Sequence, residues 1–289
     1  MIVSVSRRTD IPSFYSEWFF NRLEEGFVLT QNPRNSEQIR QISLAAEDVD
    51  AFVFWTKNPA PMISRLSELG GFMYYFQFTI TPYGSDIELN LPPKTPDTLD
   101  AFKKLSQIIG PDRVIWRYDP ILINLKYTAE YHARAFEKMT KELCGHTQRV
   151  IISFVEADYR GAKNNADKLG LEVLSENEQE KIAAVFAQIA HGNDLSIHSC
   201  AGKINLQKYG IQPARCIDGD LISRLISRDL GAKKDKNQRS ECGCAASVDI
   251  GAYNTCLNGC LYCYANYNKG AVAANHARHN PLSPFLITP

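Results

Sequence analysis

The sequence predicts an α/β fold in which parallel strands and helices alternate to form a partial or complete TIM-type barrel. Short apolar runs rich in β-branched and aromatic residues alternate with amphipathic stretches, a pattern typical of a parallel sheet covered by helices. Seven such runs occur, close to the repeat number of a TIM barrel. The alternative, an open doubly wound sheet, usually carries a glycine-rich loop after its first strand. Residues 4–12, at that position, contain no glycine.

Each predicted strand is a short apolar run bounded by polar or turn-forming residues. The seven runs cover residues 2–6, 51–56, 72–80, 113–118, 150–155, 195–199 and 246–253.

The predicted helices between these strands carry start and stop signals. Apolar residues at helical spacing between 16 and 25 end on Gly26, which suits a C-cap. Ser175 followed by Glu178 is a capping box that opens a helix extending to His191. Three further helices are predicted: from Pro59 to Gly70, from an N-cap at Thr95 with Pro96 in the first turn to Gly110, and from Thr128 to Leu143.

We expect a single domain spanning residues 1–289. Residues 1–199 contain six β/α units, and residues 200–245 form a connection that contains cysteines. Residues 246–269 hold the last strand and a cysteine-rich loop. The remaining tail, 270–289, contains three prolines and is expected to be loosely packed.

The composition excludes several classes of protein. Of the 289 residues 44% are hydrophobic, too many for a disordered chain, and no apolar run is long enough to cross a membrane. Lys and Arg (32) balance Asp and Glu (32), so the net charge supplies no electrostatic footprint for bulk binding of DNA or of a membrane, and a local basic cleft is the alternative. The first ten residues become charged too soon for a signal peptide. We therefore expect a cytoplasmic protein without a membrane partner, and a nucleic-acid partner is not favoured.

Charged and polar residues follow several of the predicted strands, at the edge where barrel proteins place their functional sites. Arg8 and Asp10 follow the first strand, Lys57 the second, and Arg117 and Asp119 end the fourth. The three cations would suit a carboxylate, phosphate or sugar-ring substrate. The alternative is that pairs such as Arg117 and Asp119 only tie loops together. We favour a site and take Arg8, Lys57, Arg117 and Asp119 as catalytic candidates.

The eight cysteines are unevenly distributed, since none precedes Cys144. Without a secretory signal, clustered thiols indicate metal binding or redox chemistry rather than disulfides. Cys256, Cys260 and Cys263 have the spacing Cys-x3-Cys-x2-Cys, and Gly259 allows a tight backbone turn between them. Three thiolates can bind three irons of one 4Fe–4S cluster and leave the fourth iron open. Zinc, the competing interpretation, would need a fourth ligand from elsewhere.

Together with Tyr262, this cysteine triad resembles the signature of the radical S-adenosylmethionine superfamily. The resemblance implies a 4Fe–4S cluster whose open iron is chelated by S-adenosylmethionine, with Tyr262 near the adenine. Reductive cleavage of S-adenosylmethionine would then release a 5′-deoxyadenosyl radical that abstracts hydrogen from a substrate. It also implies an electron donor such as flavodoxin or ferredoxin.

In that superfamily the cysteine loop follows the first strand of the barrel, whereas here it follows the last. A circular permutation would account for this, and it predicts that strand 246–253 lies beside strand 2–6. The usual Gly-Gly-Glu after the second strand of the superfamily is replaced by residues 6–10, which makes Arg8 and Asp10 candidate contacts of S-adenosylmethionine. The run 117–121 is similar to one in spore photoproduct lyase-like enzymes. The whole chain resembles a bacterial family of unknown function with a C-terminal cysteine cluster.

Four more cysteines form a second candidate site, namely Cys200, Cys216, Cys242 and Cys244. Four thiolates suffice to close a second 4Fe–4S cluster or a structural zinc site, and free thiols are the alternative. Cys144, near a predicted helix end, is expected to be a core residue.

Two functions follow as hypotheses. The first is a radical S-adenosylmethionine enzyme that acts on a small or nucleotide-like substrate. The second is an iron–sulfur electron-transfer protein or a structural zinc protein without radical chemistry. A row of polar strand ends favours the first, because a carrier needs no such pocket.

Overall fold

The computed structural model describes residues 1–91, 97–202 and 204–289, and at Ser36 the backbone alone. Its strands are β1 (Ile2–Val5), β2 (Phe27–Asn32), β3 (Asn35–Ser43), β4 (Ala51–Thr56), β5 (Tyr74–Thr79), β6 (Val114–Ile121), β7 (Arg149–Phe154), β8 (Ser196–Ser199), β9 (Gln212–Pro213) and β10 (Val248–Asp249). Its α-helices are α1 (Ile11–Phe14), α2 (Ser16–Glu25), α3 (Ala60–Ile63), α4 (Leu99–Ile109), α5 (Ala129–Leu143), α6 (Arg160–Asn164), α7 (Ala166–Leu169), α8 (Glu176–His191), α9 (Gly219–Leu225) and α10 (Lys269–Arg278).

Eight of these strands form one large parallel sheet, so the fold is mixed α/β. Within the described residues the strand order is β10-β1-β4-β5-β6-β7-β8-β9, with β9 and β10 as its two edges. All seven predicted strands are confirmed as members of this sheet. The predicted neighbourhood of the last and first strands is also confirmed, since Val3 pairs with Val248 and Ser4 with Asp249 in parallel register.

The two faces of the sheet are covered differently. Side chains alternate between faces along a strand, and one face packs on helices through aromatic rings. Phe52 lies 5.5 Å from Phe19 of α2, and Trp116 lies 5.0 Å from Phe136 of α5, between ring centroids. The opposite face buries Val53 and Tyr75 against the connection between β8 and β10. The connection therefore occupies the face that the large helices leave open.

The predicted helix signals agree with the observed ends of several helices. Gly26 ends α2 in the left-handed conformation, and Ser175 and Glu178 form both bonds of the capping box of α8. Thr128 caps α5, and Gly110 follows the last residue of α4. The predicted N-cap at Thr95 and Pro96 lies outside the described residues. The predicted helix after Pro59 is divided into α3 and a 3₁₀ turn, Leu66–Leu69.

Two features differ from the sequence predictions. The antiparallel hairpin β2–β3 was not predicted, because β3 is mostly polar and exposed. Cys144 is exposed rather than in the core. It sits one residue beyond the last turn of α5, whose Leu143 takes the buried position.

No helix among the described residues is long and apolar enough to cross a membrane.

The tail is packed closely beyond α10, which itself has no buried residue, so the prediction of a loose segment is wrong for the part that contains Ser283 and Leu286. It contains α10 and then returns to the body of the protein. The Trp18 indole donates a hydrogen bond to the carbonyl of Ser283 (2.9 Å), and the amide of Leu29 donates to Pro284 (2.9 Å). Leu286 is only 4% exposed. The prolines end the helix and direct the chain back to α2 without loosening it.

Candidate functional site

The cysteine loop, residues 256–263, follows β10 and lies at the carboxyl end of the sheet. Gly259 has φ +68°, and a Cβ there would come within 3.0 Å of Asn90 Nδ2. This position requires glycine on both counts, since other residues avoid positive φ and the neighbouring loop leaves no room. The predicted tight turn is thus confirmed.

Neighbouring loops hold the cysteine loop by backbone contacts. The amide of Leu261 donates to the carbonyl of Ile87 (3.0 Å), and the amide of Asn90 donates to that of Asn258 (3.1 Å). On the other side, a Cβ at Gly161 of α6 would lie 1.9 Å from the carbonyl oxygen of Cys263. The loop is therefore fixed between the segment after β5 and the start of α6.

The three thiols of the loop lie close enough to affect one another. Burial raises the pKa of Cys260 to about 12; the Lys57 charge opposes this shift, and Glu88 and Cys263 add to it. Burial also raises the pKa of Cys256, and the nearby Asp10, Cys260 and Cys263 raise it further. Such thiols stay protonated at neutral pH, and a cation that binds them must displace the protons.

A buried carboxylate, Glu88, lies next to the loop. Its Oε1 is 2.8 Å from the Lys57 ammonium and 2.8 Å from Thr81 Oγ1, and it also accepts a hydrogen bond from the Tyr262 hydroxyl. Burial lowers the pKa of Lys57, but the charges of Glu88 and Cys260 outweigh this effect and raise it. Lys57 therefore keeps its positive charge at neutral pH and lies beside the Cys260 thiol.

Asp10 links the loop after β1 to both the Lys57 backbone and the cysteine loop. It accepts hydrogen bonds from the Lys57 amide (2.7 Å), the Asn258 side chain (3.1 Å) and the Ser13 amide (3.1 Å). Burial raises its pKa to about 6. The predicted site residues Asp10 and Lys57 are thus brought together with the triad.

Arg8 lies at the same edge but is bound to a residue that sequence reasoning did not single out. Asp249 on β10 accepts from Arg8 Nε (3.1 Å), Ser4 Oγ (2.8 Å) and the amide of Arg7 (2.8 Å). Burial raises the pKa of Asp249, but the Arg8 charge and these hydrogen bonds outweigh it, so that the pKa is lowered. Arg8 thus joins β1 to β10.

Arg117 and Asp119 form an ion pair on β6, as the structural alternative predicted, with Ser153 donating to the same carboxylate. Arg117 also contacts the second cysteine set, since its Nη1 lies 2.8 Å from Cys216 Sγ. Asp119 adds to the electrostatic field at Lys57. The four catalytic candidates therefore divide into Lys57 beside the loop, Arg8 at β10, and the Arg117–Asp119 pair, which acts both on Lys57 and on the second cysteine set.

Tyr262 is almost fully buried. Its ring lies 6.0 Å from that of Tyr83 and 5.7 Å from the Lys57 ammonium, measured to the centroid. Its ring packs against Tyr83, and its hydroxyl donates a hydrogen bond to Glu88.

Sequence reasoning missed Glu88 and Asp249. Glu88 stands nine residues beyond β5 in a polar stretch, and its bridge to Cys260 and its contacts with Lys57 and Tyr262 bring it to the site. Asp249 could have been found, because a lone carboxylate in an otherwise apolar strand needs a partner.

The chemistry of the donors suits an iron–sulfur cluster. Three thiols lie on one turn, Gly259 allows the turn, and a cation stands beside them to offset the negative charge of thiolates. No group of three or more His, Cys, Asp or Glu side chains in the described part of the chain is already arranged around an ion. Binding would therefore require the thiol side chains to rotate.

Residues 2–265 match the model of a family described as a domain of unknown function, DUF1848. The chain belongs to this family. No curated protein matches it. Among solved structures, it is similar to a protein from Bacteroides thetaiotaomicron VPI-5482 described provisionally as an alpha-L-fucosidase, with 8% identity, 81% of this chain and 84% of the other covered, and a TM-score of 0.31. A likeness this weak carries no argument about function.

Proposed function

We propose that this member of the DUF1848 family is a radical S-adenosylmethionine enzyme of the cytoplasm. Cys256, Cys260 and Cys263 would hold a 4Fe–4S cluster. One observation carries the proposal: the Cys-x3-Cys-x2-Cys turn directly follows a parallel strand, β10, at the carboxyl edge of the sheet, and its three thiols are close neighbours. That edge is where α/β barrels place their reactive groups.

The proposal includes the finer fold, a permuted partial barrel. Two observations support it. The last strand pairs in parallel with the first, as a permutation requires. The long helices α2, α4, α5 and α8 pack on one face of the sheet, as the outer ring of a barrel does.

A bound cluster with S-adenosylmethionine would supply a 5′-deoxyadenosyl radical for hydrogen abstraction, given an electron from a donor such as flavodoxin or ferredoxin. The protein would supply position and charge. Lys57, held by Glu88 beside Cys260, offers a fixed cation to a carboxylate of the cosubstrate or substrate. Asp10 offers a carboxyl group that exchanges a proton near neutral pH.

Roles for the other predicted residues follow from their contacts. Arg8, bound to Asp249, would hold the β1 and β10 ends in register. It remains the proposed contact, with Asp10, for the amino-acid part of S-adenosylmethionine. Asp119 would contact a small or nucleotide-like substrate, and Arg117 would orient the Asp119 carboxylate.

The test is anaerobic reconstitution of the full chain with iron and sulfide, followed by dithionite and S-adenosylmethionine. We expect about four irons per chain and formation of 5′-deoxyadenosine. Cys256→Ala should lose both, whereas the exposed Cys144→Ala should lose neither. Iron binding without 5′-deoxyadenosine would overturn the radical function and leave an electron-transfer protein.

A further inference from the structure

Four of the five remaining cysteines converge from three separate segments of the connection. Cys200 follows β8, Cys216 precedes α9, and Cys242 and Cys244 precede β10. The Sγ atoms of Cys200 and Cys216 are 3.5 Å apart. The Cys244 thiol interacts with the thiols of both Cys216 and Cys242. The loop that carries Cys242 and Cys244 therefore reaches Cys216, which contacts Cys200.

All four are free thiols, and three are nearly inaccessible: Cys216 is 5% exposed, Cys242 8% and Cys244 2%. Thiols are weak hydrogen-bonding groups, so four of them gain little from facing one another. Their convergence therefore indicates a bound species, such as a metal ion, that sulfur atoms coordinate.

Charged and polar donors point at these sulfurs. Arg117 Nη1 lies 2.8 Å from Cys216 Sγ, and the amide of Ile217 lies 3.4 Å from Cys244 Sγ. Such donors suit thiolates, whose negative charge they offset. The backbone also joins the two segments, because the amide of Ala245 donates to the carbonyl of Ile217 (2.9 Å).

We propose that Cys200, Cys216, Cys242 and Cys244 bind one Zn²⁺ ion in a closed site. Four thiols give up four protons and donate four sulfur ligands to the ion, with no oxidation or reduction. The distance favours zinc, because two thiolates on one tetrahedral zinc, each about 2.3 Å from it, lie about 3.8 Å apart. The observed 3.5 Å is close to this. In a 4Fe–4S cluster each thiolate binds a separate iron and stands farther from the next.

The contacts run in a row, Cys200–Cys216–Cys244–Cys242, and the four sulfurs are not yet arranged around one point. Binding therefore requires the outer side chains to turn inward. The Cys216 backbone is already fixed to the sheet, since its carbonyl accepts from the Tyr75 hydroxyl (2.7 Å) and from Gln77 Nε2 (2.9 Å). The ion would thus fix the connection to the face of the sheet that carries Val53 and Tyr75.

The test counts metals in the full chain purified under reducing conditions. We expect one zinc per chain in the wild type, retained when Cys256, Cys260 and Cys263 are all changed to Ala. Cys216→Ser should lose the zinc and keep the iron, and the exposed Cys144→Ser should keep both. This pattern is independent of the proposed radical function, because the two sets of variants remove different metals.

A second measurement covers the case in which Cys216→Ser fails to fold. Co²⁺ added to the metal-free triple Ala variant should give the intense visible absorption of a tetrahedral tetrathiolate, and Cys242→Ser should weaken it severalfold. Wild-type protein without zinc, or no such cobalt spectrum, would overturn the proposal. So would about eight irons per chain falling to about four in Cys216→Ser, since that result identifies a second cluster.

Discussion

The ammonium group of Lys57 lies 2.8 Å from the carboxylate of Glu88, and the Glu88 side chain is fully inaccessible to solvent. The pair joins the end of β4 to the segment that holds the cysteine loop. Its burial distinguishes it from the surface ion pairs of the same protein and makes it costly to break.

Lys57→Met should lower the free energy of unfolding by about 3 kcal/mol, because it leaves a buried carboxylate without this cation. The matched control is Lys103→Met, which breaks a pair of similar length with Glu142 at the surface and should cost less than about 1 kcal/mol. Urea unfolding followed by circular dichroism measures both. Equal losses would contradict a special role for the Lys57 pair.

Gly161→Ala should displace the cysteine loop, because the added Cβ meets the Cys263 carbonyl at 1.9 Å. We expect reconstituted iron to fall severalfold while the circular dichroism spectrum is kept. Gly71→Ala is the control, since its added Cβ meets nothing within 4 Å. Unchanged iron in Gly161→Ala would show that the loop tolerates displacement.

The burial of His132 predicts that the free energy of unfolding falls in acid. Its ring is buried between the Tyr118 hydroxyl and the Leu122 carbonyl, each 2.8 Å away, and burial lowers its pKa from 6.5 to about 4. The folded state therefore prefers neutral histidine. This contribution is complete above pH 6.5 and is lost as pH falls through 4, up to about 3 kcal/mol.

Unfolding measured from pH 7.5 to 4 should thus show a smaller acid loss in His132→Gln than in the wild type. His146→Gln, in the loop after α5, is the control and should follow the wild-type curve. Parallel curves for His132→Gln and wild type would exclude this histidine as the cause.

Two leucines of the tail test its packing. Leu286→Ala should lower the free energy of unfolding by about 2–3 kcal/mol, because Leu286 is 4% exposed. Leu282→Ala should change it by less than about 0.5 kcal/mol, since Leu282 is 71% exposed. Chemical denaturation of the two variants compares them directly, and similar losses would mean that the tail packs differently.

The strands and most helix ends could be predicted because local signals decide them. The aromatic runs at 51–56 and 72–80 need a buried sheet, and caps such as Ser175 act within one turn. Features that depend on distant chain segments were missed. The tail packs because α2 presents Trp18 and Arg22 to its carbonyls, which no local pattern within 270–289 reveals.

The site shows the same division. The spacing of Cys256, Cys260 and Cys263 was legible in the sequence, and so was the position of Lys57 at a strand end. Glu88 was not, because a long loop carries it back to Cys260. The contacts of Cys216 with Cys200 and Cys244 depend on how the connection after β8 crosses the sheet, and composition does not encode that path.

The pairing of β1 with β10 also sets an order of assembly during translation. Ser4 bonds to Asp249, a residue 245 positions later in the chain. Until the ribosome has made that segment, β1 exposes one unpaired edge. Such long-range pairing folds slowly and leaves a strand edge open to other chains. The nascent protein should therefore depend on chaperones until β10 emerges.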